Sequence, residues 1–240
     1  MKGWILSAAA LLSGALLLPS AASATLIFEY STNGGSTFTN LCSGVDGCTT
    51  IADITLTDGL VVSAGAAGSS NSPGTPLVAD LLSSTVRVTN PTGGSVSVIF
   101  RIGDAGYAAP TTPPPANLES AIGDTVANAG TGANSLHYIT CIDQANGQDS
   151  CPGTITAATL SPDITTVGSD NLNNNTLVTS LHAPYSMTEE LDLTLSNGAV
   201  VNHSASTILS PTPAVPEPAS LMLLGTGLLG LGLIRRMRRG

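Results

Sequence analysis

Apolar and polar side chains alternate with a period of two in several segments of this chain. Residues 84–89 and 94–102 each place valines and other apolar side chains on one face and Thr, Ser or Arg on the other. This alternation predicts β-strands with one buried face. Residues 90–94 between them are rich in turn formers, so the two segments are expected to form an antiparallel hairpin.

The same pattern predicts two further hairpins. One spans residues 54–62 around an Asp-Gly pair, and the other spans residues 191–205 around an Asn-Gly pair. Both dipeptides favour tight turns between antiparallel strands. Additional strands are expected around Tyr30, in residues 136–139, and at Ile155, Leu177 and Val178.

The remaining patterns decide the fold class. Helical periodicity is nearly absent, since only residues 115–126 could hold a short helix. The Asn-rich stretch 171–175 is typical of a loop. Strands with one apolar face must bury those faces against each other, so the sequence predicts an all-β ectodomain over residues 25–210, built as an antiparallel β-sandwich.

The beginning of the chain has the features of a secretory signal peptide, expected over residues 1–24. The apolar run 5–18 is shorter than the roughly 20 residues that span a bilayer. Ala22 and Ala24 occupy the small-residue positions before a cleavage site, which makes Thr25 the expected first residue of the mature protein. An uncleaved N-terminal anchor is the alternative.

The end of the chain has three consecutive segments of different chemistry. A Pro-rich linker (211–218) precedes an uncharged apolar stretch (219–234), which is expected to form one short transmembrane helix. At 1.5 Å per residue that helix covers only about 24 Å of a hydrocarbon core of about 30 Å. The basic tail (235–240) is expected to stay on the cytoplasmic side of the membrane. Its positive charges are Arg235, Arg236, Arg238 and Arg239.

This order of segments, with Val215, Pro216, Glu217 and Pro218 ahead of the apolar stretch, resembles the PEP-CTERM sorting signal of Gram-negative bacteria. The resemblance implies that an exosortase recognises these four residues and processes the protein there. It further implies that 219–234 is a temporary membrane stop and that the arginines retain the tail. The protein would then be exported, transiently anchored in the inner membrane, and released to the cell surface or extracellular matrix. A permanent anchor behind a Pro-rich stalk is the alternative.

Four cysteines occur as two local pairs, Cys42 with Cys48 and Cys141 with Cys151. In an exported protein an even number of cysteines at short spacing predicts disulfides, here one within each pair. Zinc is disfavoured, because neither spacing is Cys-x2-Cys and no histidine adjoins either pair.

Charge and composition exclude some partners. Residues 25–214 hold fifteen acidic residues, no lysine and only Arg87 and Arg101 as basic residues. Nucleic acid is therefore excluded as a partner, since phosphate binding depends on Lys and Arg. Aromatic residues make up 3% of the chain, and the single tryptophan, Trp4, lies in the expected signal peptide. This composition argues against an aromatic-lined pocket.

No catalytic motif is evident in the sequence. There is no Gly-x-Ser-x-Gly, His-Glu-x-x-His or Walker pattern. The acidic residues Glu189, Glu190 and Asp192 are expected to form a solvated turn rather than a calcium site. We expect no catalytic residue, metal or cofactor. The histidines stand in unrelated settings, at His137, His182 and His203.

The expected function is that of an exported, exosortase-processed surface or matrix protein without catalysis. Its role would be structural or interactive, in association with exopolysaccharide or a biofilm. A carbohydrate-binding module is the second hypothesis, since β-sandwiches often bind glycans. A secreted hydrolase is the third.

Overall fold

A computed structural model describes the central part of the chain. Every regular element in it is a β-strand, and it contains no helix that is long and apolar enough to cross a membrane. The predicted signal peptide, transmembrane helix and basic tail lie outside the described residues. These are residues 25–45, 47–50, 52–63, 65–70, 78–112, 115–148, 151 and 155–212.

The strands follow each other closely along the chain, and β14 ends near the last described residue. They are β1 (Leu26–Ser31), β2 (Thr39–Gly44), β3 (Gly47–Thr50), β4 (Ile54–Thr55), β5 (Val61–Ser63), β6 (Gly65–Ser69), β7 (Ala79–Thr89), β8 (Val96–Tyr107), β9 (Ala116–Asn128), β10 (Ser135–Asp143), β11 (Ile155–Thr156), β12 (Gly168–Val178), β13 (Tyr185–Leu195) and β14 (Val200–Pro211).

These strands form two antiparallel sheets. The first sheet has the order β11-β10-β13-β8-β1-β2, and the second has the order β12-β9-β14-β7-β5-β4, with β6 beside β7 and β3 beside β6. The all-β, antiparallel part of the predicted fold is therefore confirmed.

One hydrophobic core contains residues of both sheets. In β14, for example, Val201, His203, Ala205, Thr207 and Leu209 are all buried, and the residues between them are more exposed. Polar contacts also join the sheets: the hydroxyl of Tyr138 in β10 is hydrogen-bonded to the hydroxyl of Thr207 at 3.0 Å. The period-two pattern thus buries one face of each sheet in a shared interior.

The predicted hairpin at residues 54–62 is confirmed, since β4 pairs with β5 in the register Ile54 to Val62. Gly59 has a φ of 89°, a conformation that a residue with a Cβ adopts only with strain. The strands predicted around Tyr30, 136–139, Ile155 and 177–178 are also present.

The other two hairpin predictions are wrong. β7 lies in the second sheet and β8 in the first, while β13 lies in the first and β14 in the second. Between β7 and β14 the chain changes sheets at every connection except the one from β10 to β11. The reason is that alternation specifies which face of a strand is buried, but not which strand becomes its neighbour.

Two predictions of local structure are also wrong. Residues 115–126, the candidate helix, belong almost entirely to β9, and the Asn-rich stretch 171–175 is part of β12. In β9 the polar residues Ser120 and Asp124 point inward and Ala121 points outward, which hides the period of two in the sequence. In β12 the asparagines alternate along an exposed edge strand, where no apolar residue is required at their positions.

Asn90 connects two of the sheet-to-sheet crossings. Its side chain is fully buried and donates hydrogen bonds to the carbonyls of Gly94 (2.9 Å) and Leu195 (2.7 Å). Its backbone N–H donates to the Ala199 carbonyl at 2.9 Å, and its carbonyl accepts from Gly198 at 2.8 Å. Hydrogen bonds of Asn90 thereby link the β7–β8 connection to the β13–β14 connection.

We expect Asn90→Ala to destabilise the protein by about 2–4 kcal/mol, because it leaves the Leu195 carbonyl buried with one partner fewer. Urea unfolding of the exported protein measures this change. The matched control is Asn40→Ala at an exposed position of β2, which should cost less than about 0.5 kcal/mol. Equal effects of the two substitutions would contradict the assigned role of Asn90.

Candidate functional site

The structure describes only some of the residues singled out from the sequence. Thr25, the expected first residue of the mature protein, is exposed and immediately precedes β1. The signal-peptide residues Ala22 and Ala24 lie outside the described part of the chain. The same holds for the C-terminal sorting residues, namely Val215, Pro216, Glu217, Pro218, Arg235, Arg236, Arg238 and Arg239.

Both expected disulfides are present. Cys42 of β2 is bonded to Cys48 of β3, with their Cα atoms 5.7 Å apart, so this bridge joins the first sheet to the second. Cys141 of β10 is bonded to Cys151, with a Cα separation of 5.6 Å. The sequence predicted the partners but not that the first disulfide would connect two sheets.

The second disulfide closes a loop that packs against the first sheet. The Gln148 carbonyl accepts a hydrogen bond from the Thr188 hydroxyl at 3.1 Å. The neighbouring Gly147 carbonyl accepts one from Ser186 at 2.7 Å. Asn146 accepts a hydrogen bond from the Gly106 N–H at 2.7 Å. Residues 146–148 of the loop therefore pack against the end of β8 and the start of β13.

The structure does not bring the three histidines together. His137 is exposed on β10 with Nδ1 2.8 Å from the Ser161 hydroxyl, and His182 is exposed before β13. His203 is buried on β14, with 4% of its surface exposed. The three side chains therefore do not form a shared site.

The prediction of a solvated acidic turn at residues 189–192 is wrong. These residues lie within β13, where the alternation sends Glu189 into the core at 3% exposure and leaves Asp192 on the outer face. Glu190 is partly buried, and its burial raises the pKa of its carboxyl group, an effect opposed by the nearby Arg101. Within the described residues, no group of His, Cys, Asp and Glu is arranged to hold a metal ion.

A cluster of ionisable side chains lies between the two sheets. His203 Nδ1 lies 3.1 Å from Asp124 Oδ1, within hydrogen-bonding distance, and both side chains are almost completely buried. Tyr138 faces His203 from the first sheet with a ring-centroid distance of 6.3 Å. Glu189 lies beside Tyr138 and lines the same internal cavity of about 20 Å³ as His203.

Apolar side chains enclose this cluster, and this burial affects both the pKa of Tyr138 and the space beside it. Burial is the main cause that raises the pKa of Tyr138, and the charge of Glu189 raises it further. The cavity accommodates about one water molecule and is bordered by Phe28, Phe100 and Leu191. A substrate has no room beside these groups, so the arrangement suits a structural network more than a reaction centre.

Sequence reasoning missed the Asp124–His203 pair because the two residues are 79 positions apart. A signal was nevertheless present. Asp124 stands two residues from Ile122 and from Val126, and His203 stands between Val201 and Ala205, so each occupies an inward position of an alternating strand. If β9 and β14 are known to be neighbours, ionisable residues that face each other at inward positions indicate a buried pair.

A second candidate site is a shallow groove on the outer face of the second sheet. It runs along β9 between β12 and β14 and has a volume of about 350 Å³. Gly123 forms its floor, since an added Cβ there would lie 2.6 Å from Asn171 Oδ1 and 3.4 Å from Ser204 Oγ. Amide and hydroxyl groups line the groove, so it offers neutral hydrogen-bond donors and acceptors. Its polar lining includes Asn171, Asn173, Ser204 and Ser206.

The family model of the PEP-CTERM protein-sorting motif matches residues 214–239. The chain carries a PEP-CTERM sorting motif. The resemblance inferred from Val215 to Pro218 and the arginine cluster is thereby confirmed. The motif identifies the chain as an exosortase-targeted exported protein with a membrane-anchored sorting signal.

Comparisons beyond the motif give no activity for this chain. No curated protein matches the chain. Among solved structures, an arabinose-bound α-L-arabinofuranosidase (MgGH51) aligns at 13% identity with a TM-score of 0.33, over 70% of this chain and 23% of that one. The chain thus spans less than a quarter of that structure's length.

The stability of this protein should fall as the pH rises above about 10. Burial raises the pKa values of Tyr107, Tyr138 and Tyr185 above the ordinary value of 10.0. Above that pH the unfolded chain releases phenolic protons that the folded protein retains, so unfolding becomes more favourable, by about 1.4 kcal/mol per pH unit for each tyrosine. Below pH 10 this contribution is fully present.

Above pH 10, Tyr138→Phe should make the free energy of unfolding fall less steeply with pH, by about 1.4 kcal/mol per pH unit. Urea unfolding at successive pH values measures this slope. The control is Thr207→Val, which removes the same hydrogen bond and also the one between Thr207 and Thr140, but keeps the phenol. It should lower stability without changing the slope. An unchanged slope in Tyr138→Phe would show that Tyr138 ionises equally in both states.

Proposed function

We propose that the mature protein is a non-catalytic component of the cell surface or extracellular matrix, with a structural or interaction role in association with exopolysaccharide or a biofilm. The sorting motif supports this, because it directs the chain out of the cell. The burial of Asp124, Tyr138, Glu189 and His203 supports the non-catalytic part, since each is at most 4% exposed.

We further propose that the two sheets form a β-sandwich. The shared core, the Tyr138–Thr207 hydrogen bond and the inter-sheet disulfide support this arrangement. The hydroxyl of Tyr107 in the first sheet also donates to the Asp80 carbonyl in the second at 3.0 Å.

In our proposal the membrane anchor of this protein is transient. The segment 219–234 is short for a bilayer span, about 24 Å against about 30 Å. The prolines at 216 and 218 keep the preceding segment extended and accessible to a protease. Exosortase would process the chain near residues 216–218 and release residues from Thr25 onward to the cell surface or matrix.

Replacing Pro216, Glu217 and Pro218 by Ala should trap the full-length chain in the membrane fraction, because the recognition element is lost. Membrane fractionation and intact-mass measurement of the extracellular form give the result. The matched controls Glu119→Ala and Pro213→Ala remove one acid or one proline outside the motif and should leave release unchanged. An extracellular species that still carries residues 221–240 would mean that the anchor is permanent.

A carbohydrate-binding module is the second candidate function, favoured by the neutral groove along β9. Amides and hydroxyls can exchange hydrogen bonds with uncharged sugars without any charged group. The groove contains no aromatic side chain for a sugar ring to stack on. For this reason we rank it below a structural role.

We expect the exported protein to co-sediment with exopolysaccharide from the producing cell and to release no soluble sugar. Gly123→Val fills the groove, whereas the control Gly93→Val adds the same side chain where no atom lies within 4 Å. A structural role predicts that both variants remain bound. Loss of binding by roughly tenfold or more in Gly123→Val alone would favour the binding module, and release of soluble sugar would favour the hydrolase.

A further inference from the structure

β12 is a long, regular strand at the edge of the second sheet. It has 11 residues and pairs with β9 along its whole length without a register shift. Within the described chain it pairs with no other strand. The other strands at sheet edges differ: β4 and β11 have two residues each, β3 has four, and the pairing of β2 with β1 contains a bulge.

The direction of the backbone groups in β12 follows from the ladder on the other side of β9. Thr212 donates to the Pro115 carbonyl at 2.8 Å, which places the odd-numbered residues of β9 in hydrogen bonds with β14. The even-numbered residues of β9 therefore face β12, and their partners in β12 are also even-numbered. The odd-numbered residues of β12 consequently direct their N–H and C=O groups away from the sheet. The Asn171 N–H agrees with this, since it bonds the Asp170 side chain at 2.9 Å and not β9.

The side chains along this edge are exposed and uncharged at the odd positions. Among the large hydrophobic side chains of the described residues, Val167 (69%) and Leu177 (62%) are the most exposed. Val167 immediately precedes β12, and Leu177 lies near its other end. β12 contains no proline, lysine or arginine, and Asp170 is its single charged residue. Proteins usually protect edges with such residues or with bulges. The odd-numbered residues are Ser169, Asn171, Asn173, Asn175 and Leu177.

We propose that β12 pairs with β12 of a second copy of this chain, antiparallel and with the two-fold axis at Asn173. This register pairs every residue from 168 to 178 and sets Asn171 opposite Asn175. The facing amides can each donate and accept hydrogen bonds. Asp170 lies opposite Thr176, so no like charges face each other.

The two-fold pairing also accounts for the exposed apolar residues. It brings the end of β12 that carries Leu177 beside the end of the second copy that is preceded by Val167. The Asn171 N–H exchanges its bond to Asp170 for one to the second copy. Because both copies use the same edge, the contact closes as a dimer and occupies the β12 edge of each copy.

Sedimentation equilibrium of the exported protein, without polysaccharide, tests this proposal independently of the proposed function. The wild-type protein should dimerise. Asn173→Pro should weaken the dimer by roughly tenfold or more, because proline in both copies removes the two central hydrogen bonds between them but preserves the ladder to β9. Asn173→Lys and Asn173→Asp should each do the same by placing like charges opposite each other. An equimolar mixture of those two variants should restore the dimer.

The matched control is Asn202→Lys, which adds the same charge on the central strand β14 and should dimerise like the wild type. A monomeric wild-type protein at all concentrations would overturn the proposal and leave the edge to a different partner. It would equally be overturned if Asn173→Pro dimerised normally, if Asn202→Lys dissociated the dimer as strongly as Asn173→Lys, or if the mixture stayed monomeric.

Discussion

The buried side chain of Asn90 supports the architecture on which the rest of this protein depends. From β7 onward the chain passes between the sheets at nearly every connection, so neither sheet is a continuous stretch of sequence. Asn90 binds the carbonyl of Leu195 at 2.7 Å and so ties two of these crossings together. The hydrogen bonds of Asn90 thus link connections that run between the two sheets.

This protein fills its interior with few aromatic residues, and polar groups occupy part of the space. Asp124 Oδ1 lies 3.1 Å from His203 Nδ1, whereas Asp124 Oδ2 is buried without a hydrogen-bond partner. The hydroxyls of Tyr138 and Thr207 join the two sheets at 3.0 Å. The burial of these groups is consistent with the structural role that we propose for the protein.

The features suited to interaction lie on the outside of the second sheet. The neutral groove along β9 and the edge of β12 adjoin each other and share Asn171 and Asn173. Residues on the inner face of this sheet belong to the core that it shares with the first sheet. The C-terminal sorting motif at residues 214–239 begins shortly after β14 and determines where these surfaces are delivered.

The sequence by itself determined the features that are local in the chain: the sorting motif, the Cys42–Cys48 and Cys141–Cys151 pairs, the turn at Gly59 and the burial periodicity of most strands. These depend on neighbouring residues, so a short window of sequence contains the whole signal. Only the tertiary structure decided which strands pair, since a period of two gives the buried face of a strand but not its neighbour. It therefore also decided that residues 115–126 form a strand, that Asp124 meets His203, and that β12 lies at an edge, because each of these depends on contacts between residues far apart in the chain.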